Sequence, residues 1–362
     1  MNMERKNFID NLRWICILLL IPYHAAMAYN CWGESNYIIL GTSKILSSLI
    51  VAISPWFMTL LFLLAGMSAK YSLARRSYKQ FMMERVLKLL LPLIFGTLFF
   101  MPILTYIADK TNCGYTGDFF QHYTVFFTKW TDISGYDGGF SIGHLWFLLY
   151  LFIISFFVCL FDILFKRQLI KIKTVKFDAW ATALLILLAM CAYPIKLGGE
   201  NIITFLLLYL IGYYILSDDQ AVGRLIKFKY FYLMNWIILT LLNIWLFIWT
   251  DYDLPVLSAV LNFLAGGFGI LALFCMGHRF FNGTNRSTKF LTSISFCIYI
   301  VHFIWVVAFE YWFSLINIDA AFIFILSVLC SMGASIITCI GIKHCPMLNV
   351  MFGYKPKDKV KL

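Results

Sequence analysis

Long apolar blocks alternate with short polar segments along the whole chain, and this pattern predicts a helical membrane protein. Ten blocks are each about as long as a helix must be to cross a bilayer core. They lie near residues 14–32, 49–69, 89–107, 142–165, 179–195, 201–217, 230–250, 255–277, 291–313 and 320–342. The short link YPIKLGGE leaves open a tilted or partly re-entrant arrangement of blocks five and six. The prediction is an all-α polytopic fold with about ten transmembrane helices over residues 1–343 and a short basic cytoplasmic tail over 344–362.

Composition and charge agree with this fold. Of the 362 residues 62% are hydrophobic and 13% charged, which excludes an ordinary soluble domain. The net charge is +11, yet 25 of the 29 Lys and Arg residues fall in alternate loops; the exceptions are Lys44, Lys110, Lys129 and Lys196. This asymmetry predicts cytoplasmic termini and a multi-pass protein of the cell membrane, whose basic residues meet the bilayer and not nucleic acid. The first block is too long, and lacks the cleavage site, for a signal peptide.

Three ionisable residues mark the first block, DNLRWICILLLIPYHAAMAY. Arg13 and His24 are eleven residues apart, so they share one helix face, and Asp10 lies close to the same stripe. The rise between Arg13 and His24 is roughly 16 Å, which places His24 near the bilayer midplane. Pro22 predicts a kink just below it. Ionisable groups inside a membrane are usually functional; the alternatives are a packing histidine and an arginine that anchors the helix at the interface.

A second histidine face occurs in the ninth block, SISFCIYIVHFIWVVAFEY. Ser295, Tyr299 and His302 follow helical spacing, and Glu310 lies near the outer end of the same block. Because blocks one and nine run in the same direction, we expect His302 and His24 at a similar depth. Hydrogen bonding between helices is the alternative role for Tyr299 and His302.

The outer face carries the longest loop, from about residue 108 to 141. Its segment FFQHYTVFFTKW fits either a helix lying in the membrane interface or an aromatic platform for sugar rings. His144 and Trp146 follow at the outer interface; the tryptophan alone is typical of an aromatic belt. A disulfide between Cys31 and Cys113 is possible on this face, although the ten cysteines show no disulfide spacing.

The cytoplasmic face carries a basic cluster, made of Arg75, Arg76, Lys79, Arg85 and Lys88. Such a cluster suits anionic lipid, and it also suits the phosphates of a nucleotide ligand. The chain has no cysteine–histidine spacing for zinc or iron, no glycine-rich phosphate loop and no nucleophilic serine elbow. We therefore expect no metal, and the membrane histidines become the candidates for chemistry.

Several motifs in order resemble those of the acyltransferase 3 family of integral membrane acyltransferases. FIDNLRWICILLLIPYHAAMAY is similar to the family's opening, with its arginine and histidine at Arg13 and His24, and LLFLLAGMSA is similar to its second helix. ERVLKLLLP resembles the start of the third helix, with Lys88 where the family usually has a second arginine, which keeps the charge but not the bidentate geometry. HLWFLLYL and SISFCIYIVH match later segments.

The resemblance implies transfer of an acyl group from cytoplasmic acyl-CoA, a co-substrate and not a resident cofactor, to an acceptor near the outer face. The acceptor is usually a hydroxyl of a cell-surface or exported carbohydrate. The motifs IPYHAAMAY and HLWFLLYL most resemble those of the branch that includes glucan succinyltransferases. The extracellular hydrolase-like domain of some members is not expected here.

On this hypothesis His24 is the general base, and each other candidate takes one of three roles. The catalytic group also includes Arg13, His302 and Tyr299; the CoA-binding group is Arg85, Lys88, Arg75 and Arg76; the acceptor-binding group is His144, Trp146 and Glu310. One alternative is a proton-coupled transporter or flippase in which His24, His302 and Glu310 relay protons. Another is a sensor or scaffold without catalysis.

Overall fold

The computed structural model describes residues 6–167, 178–192, 201–316 and 318–352, and its secondary structure there is entirely helical. The α-helices are α1 (Asn7–Met27), α2 (Lys44–Ile53), α3 (Phe57–Leu73), α4 (Tyr78–Arg85), α5 (Leu91–Phe99), α6 (Met101–Ala108), α7 (Phe119–Thr128), α8 (Trp146–Arg167), α9 (Ala179–Cys191), α10 (Ile202–Tyr214), α11 (Asp219–Ile226), α12 (Lys229–Ile244), α13 (Pro255–Phe280), α14 (Arg286–Ser314), α15 (Ala320–His344) and α16 (Pro346–Met351). Short π-helical turns cover Val86–Leu90, Asp109–Cys113 and Trp245–Trp249, and a 3₁₀ turn covers Gly143–Leu145.

Within the described residues, each predicted apolar block coincides with a helix or with consecutive helices, so the chain is a helical polytopic membrane protein. Within the described ranges, 8 helical stretches are long and apolar enough to cross a membrane, or 9 if the bent pair α10 and α11 is one span. Helix α9 and helix α10 have 13 residues each, and the bend between α10 and α11 is 109°. The YPIKLGGE link and the end of the basic tail lie outside the described residues. Helix α1 continues across Pro22, and the kink expected there stays a prediction.

The chain divides into two compact units. The first comprises Met1–Cys16, Val51–Met82 and Ile153–Thr292, and the second comprises Ile17–Ile50, Met83–Phe152 and Ser293–Leu362. The predicted site residues are divided between them. The first unit contains Arg13, Arg75 and Arg76, and the second contains His24, Arg85, Lys88, His144, Trp146, Tyr299, His302 and Glu310.

In the first unit, two glycines allow α3 and α10 to pack backbone against backbone. A Cβ added at Gly66 would lie 2.0 Å from the carbonyl oxygen of Tyr209, and one added at Gly212 would lie 2.1 Å from that of Leu63. Small residues support such close approach in membranes, where helices gain little from the hydrophobic effect and associate through packing. The contact is reciprocal, since each helix contributes one glycine.

Replacing Gly66 with alanine is expected to separate α3 from α10, because the obstructing atom is a backbone carbonyl that has no rotamer to change. Overpacking of this kind costs about 1–3 kcal/mol. The midpoint of thermal unfolding of the purified protein in detergent should therefore fall. Gly333 of α15 is the matched control, because an added Cβ there meets nothing within 4 Å; Gly333→Ala should leave the midpoint unchanged. Equal midpoints for the two variants would contradict the packing.

In the second unit, the end of α1, α2 and α15 share one apolar cluster. Ala26 and Met27 of α1 pack with Ile50 of α2, and Phe324 of α15 lies against them. The Tyr29 hydroxyl donates to the Ala320 carbonyl, 3.1 Å away, at the start of α15. These contacts hold the end of α1 against α2 and α15. That end lies only three residues after His24, so the contacts also help to position His24 within this unit.

Candidate functional site

Three histidines meet inside the second unit. The ring centroid of His302 on α14 lies 5.4 Å from that of His24 on α1 and 5.3 Å from that of His144. His144 sits in the 3₁₀ turn that precedes α8. The contact between His24 and His302 agrees with the similar depth that helical spacing predicts. The structure adds His144, which sequence reasoning placed at the outer interface, to the same cluster.

Backbone carbonyls select one tautomer for two of these rings in their neutral form. His302 Nδ1 lies 3.0 Å from the Ile298 carbonyl oxygen and 2.8 Å from that of Tyr299, and His144 Nε2 lies 3.1 Å from that of Ile300. A carbonyl oxygen only accepts, so each of these nitrogens carries the hydrogen. The opposite atoms, His302 Nε2 and His144 Nδ1, are buried and have no hydrogen-bond partner among the described residues. Each therefore offers a lone pair to a donor.

His24 differs from the other two histidines in its accessibility. His302 is 0% exposed and His144 is 7% exposed, whereas His24 is partly exposed. Its ring stacks on Phe303 with centroids 4.0 Å apart, and Phe303 meets His144 edge-on at 5.3 Å. Phe303 thus restricts the rotation of the His24 ring. His24 is the member of the cluster best placed to touch a substrate.

A second layer of side chains supports the cluster. The Tyr299 hydroxyl donates to the His144 carbonyl oxygen while His144 Nε2 donates to Ile300, so the two segments exchange hydrogen bonds. Tyr37 lies edge-on to Phe303 at 5.3 Å, and its hydroxyl donates to the Ser134 carbonyl, 3.1 Å away. Sequence reasoning missed Phe303 and Tyr37, because an aromatic residue in an aromatic-rich chain carries no distinguishing signal.

This arrangement suits proton transfer to and from a hydroxyl or thiol. An accessible imidazole can take a proton, and two fixed imidazoles present acceptor nitrogens that can orient the donor. No group of three or more His, Cys, Asp or Glu side chains in the described ranges is arranged to hold a metal ion. The chemistry that the geometry supports is acid–base chemistry.

Comparison with protein families identifies the chain. The family model described as an acyltransferase domain, acyltransferase 3, matches residues 6–344. The chain belongs to the acyltransferase 3 family. Searches of curated proteins and of solved structures gave no match.

Arg13 of this acyltransferase lies in the first unit, where it joins α1 to α3. Its guanidinium donates to the Leu64 carbonyl and to the Ser68 hydroxyl, and it pairs with Asp10 at 3.3 Å. These bonds hold the side chain in one orientation. Within that unit they give Arg13 a positioning role for the start of α1, and the predicted catalytic role remains a prediction.

The predicted CoA-binding residues occupy two different settings. Arg75 and Arg76 are exposed at the turn after α3, in the first unit. In the second unit, Arg85 is the last residue of α4, and Lys88 lies in the π-helical turn Val86–Leu90 that follows directly. Both are partly exposed. Such turns inside helices are rare and frequently occur at functional sites, a signal that the sequence did not reveal.

The remaining predicted residues are placed as follows. Trp146 begins α8 and its ring contacts Phe147 and Tyr150. Glu310 of the acyltransferase is 0% exposed, and neither carboxyl oxygen has a hydrogen-bond partner within the described part of the chain. Cys31 and Cys113 are both exposed and both free, so the disulfide considered from the sequence does not form.

Proposed function

We propose that the protein is an O-acyltransferase that moves an acyl group, acetyl or succinyl, from cytoplasmic acyl-CoA to a hydroxyl of a cell-surface or exported carbohydrate. The observation that carries the proposal is the partly exposed His24 ring beside two buried histidines, in a chain of the acyltransferase 3 family. The split of basic residues between loops supports cytoplasmic termini and a place in the plasma or inner membrane.

In the proposed mechanism His24 removes the proton from the acceptor hydroxyl. The hydroxyl oxygen then attacks the thioester carbonyl carbon, and the tetrahedral intermediate collapses with cleavage of the carbon–sulfur bond. The CoA thiolate leaves and takes the proton back from His24, so the histidine ends neutral and the step balances. A positioned base contributes about 10²–10⁴-fold in rate.

The other histidines orient the reactants. His302 Nε2 and His144 Nδ1 have lone pairs that accept hydrogen bonds from the acceptor hydroxyl or from an amide N–H of the CoA arm. Tyr299 acts through His144, whose carbonyl oxygen it holds. A nucleophile held in this way reacts faster, because the entropy of alignment is lost on binding and not in the transition state.

Arg85 and Lys88 are proposed to bind phosphate groups of CoA. Replacing both with glutamine should raise the KM for acyl-CoA by roughly ten- to hundred-fold, because the two partly exposed cations together should contribute about 1.5–3 kcal/mol. KM is measured from thiol release in lipid nanodiscs. The pair Arg286 and Lys289, exposed at the start of α14, is the matched control and should leave KM unchanged. If the double variant changes only in expression or in its dependence on lipid, and KM stays constant, the two residues are instead an anchor for anionic lipid.

The proposed function is tested by release of free CoA thiol from acyl-CoA, with and without candidate glycans. Purified protein in nanodiscs should release thiol faster when an acceptor is present, and mass spectrometry should find the acyl group on the glycan. Transport of a substrate without thiol release would reject the enzyme. It would favour the proton-coupled transporter or flippase, for which the supporting observation is the buried Glu310 carboxyl, which has no hydrogen-bond partner among the described residues.

A further inference from the structure

An exposed tryptophan forms a flat, fixed surface in the long loop of the second unit. One face of the Trp130 ring stacks on Phe140, with centroids 4.1 Å apart and planes at 16°. The side chain is nevertheless 61% exposed, so the opposite face is open. Its Nε1 donates to the Phe127 carbonyl, 2.9 Å away, which fixes the direction of the ring. The ring is therefore held rigidly before any partner arrives.

The loop around Trp130 is ordered by its own hydrogen bonds. The Phe140 N–H donates to the Lys129 carbonyl, and Lys129 Nζ pairs with Asp137 at 3.3 Å. Asp132 Oδ1 accepts from the N–H and the hydroxyl of Ser134, and these bonds hold the pKa of Asp132 below its usual value. A carboxylate is thus charged and oriented two residues from the indole.

The loop also contains one residue with a strained backbone, Ile133. Ile133 has φ 64°, in the left-handed region that a β-branched residue rarely adopts. Such a conformation costs on the order of 1–3 kcal/mol and tends to persist where it serves a site. Ile133 is exposed, so burial of its own side chain does not compensate for the strain.

Water, and not lipid, is the environment that this loop fits. Around Trp130 the backbone is irregular, and Thr131 and Asp132 are both exposed. Irregular backbone and a carboxylate are both costly in hydrocarbon. Helix α7 differs, because its backbone is internally bonded and its Phe120 is 84% exposed; that residue fits a membrane interface.

The loop is continuous with the histidine cluster through two contacts. Ser134 and Tyr136 lie against Tyr37. The Ser134 carbonyl oxygen accepts a hydrogen bond from the Tyr37 hydroxyl, and the ring centroids of Tyr37 and Tyr136 are 5.0 Å apart. Tyr37 in turn lies against Phe303, which stacks on His24. A ligand bound at Trp130 thus rests on a loop that is linked to the candidate site through Tyr37.

We infer that the open face of Trp130, flanked by Thr131 and Asp132, is a docking surface for a sugar ring of the acceptor carbohydrate. The C–H groups on one face of a pyranose carry partial positive charge and complement the negative face of an aromatic ring. The exposed Asp132 carboxylate accepts hydrogen bonds from sugar hydroxyls at the rim. The inference rests on the proposed function for its substrate class, and it adds a second contact that makes the site prefer chains over single sugars.

The test measures binding separately from catalysis. The full chain carrying His24→Ala, in nanodiscs, is titrated with fluorescent hexasaccharides of β-1,3-linked glucose, α-1,4-linked glucose and N-acetylglucosamine. Adding Trp130→Ala should weaken binding of the preferred hexasaccharide roughly ten-fold, whereas Trp130→Tyr keeps a ring and should stay within about three-fold. Asp132→Asn, which keeps the acceptor oxygen for Ser134, should weaken binding several-fold. Phe120→Ala is the matched control and should bind normally.

The outcomes separate this inference from the proposed function. If no hexasaccharide binds, or if Trp130→Ala binds as well as its parent, the docking surface is wrong, even where thiol release with methyl glucoside upholds the acyltransferase. Equal loss for Trp130→Ala and Phe120→Ala would assign both to the membrane interface. Binding that depends on Trp130, without thiol release to any acceptor, would retain the docking surface and reject the transfer reaction.

Discussion

Replacing His24 with glutamine is expected to lower the rate of acyl transfer by about 10²–10⁴-fold, as much as replacing it with alanine. Glutamine preserves hydrogen-bonding capacity and approximate size, but its amide cannot take a proton at neutral pH. His24 is the least buried residue of the cluster and its ring stacks on Phe303, so the substitution should change the chemistry more than the packing. The measurement is kcat for thiol release at saturating acyl-CoA and acceptor.

His278→Gln is the matched control for this experiment. His278 is also a histidine of a long apolar helix, but its ring lies against Phe8 in the first unit, 4.8 Å away. Its substitution should leave kcat close to that of the wild type, with a similar thermal midpoint. Wild-type turnover by His24→Gln would remove His24 as the base.

His302 is expected to respond differently to the same pair of substitutions. His302 Nδ1 donates to two carbonyls of its own helix, and Nε2 presents a lone pair to the cluster. Glutamine can supply one donor and one acceptor, so His302→Gln should keep substantial activity. His302→Ala leaves the reactants less well aligned, and misplacement alone can cost on the order of 10²-fold.

The pH profile of kcat distinguishes orientation from proton transfer at His302. His302→Gln should keep the wild-type shape, because the titrating base is elsewhere, and His302→Ala should lower the whole curve. Near-complete loss for glutamine at both positions 24 and 302 would show that the base is not His24 alone. Full tolerance at both positions would return these histidines to a packing role and favour a protein without catalysis.

Helical spacing predicted that His24 and His302 lie close together, because α1 and α14 are regular. Counting turns placed His24 and His302 at one depth, and their rings are 5.4 Å apart. His144 was beyond that reasoning, since it lies in a short 3₁₀ turn where neither helical nor strand periodicity applies. The role of Tyr37 depends on a loop that folds back over distant residues, which no local pattern encodes.

The fold, like the site, was predicted from the sequence only in part. Apolar length predicted the long helices well, because hydrocarbon thickness sets that length directly. It did not predict that α10 ends after 13 residues and bends by 109° into α11, or that Gly66 and Gly212 mark a contact between backbones. Those features depend on which helices become neighbours. Amino-acid composition does not determine which helices pack together.

The π-helical turn after Arg85 has a consequence for ligand selectivity. In an α-helix, residues three apart point in nearly the same direction, so Arg85 and Lys88 would form one concentrated positive charge. The wider turn rotates each residue less about the helix axis, so the side chains of Arg85 and Lys88 are expected to diverge. A pair of diverging charges matches an anion whose charges are spread over separate groups, as the phosphates of CoA are, better than it matches a single compact anion. If Arg85 and Lys88 bind CoA as proposed, the π-helical turn Val86–Leu90 would make this pair select a nucleotide-linked donor over inorganic phosphate.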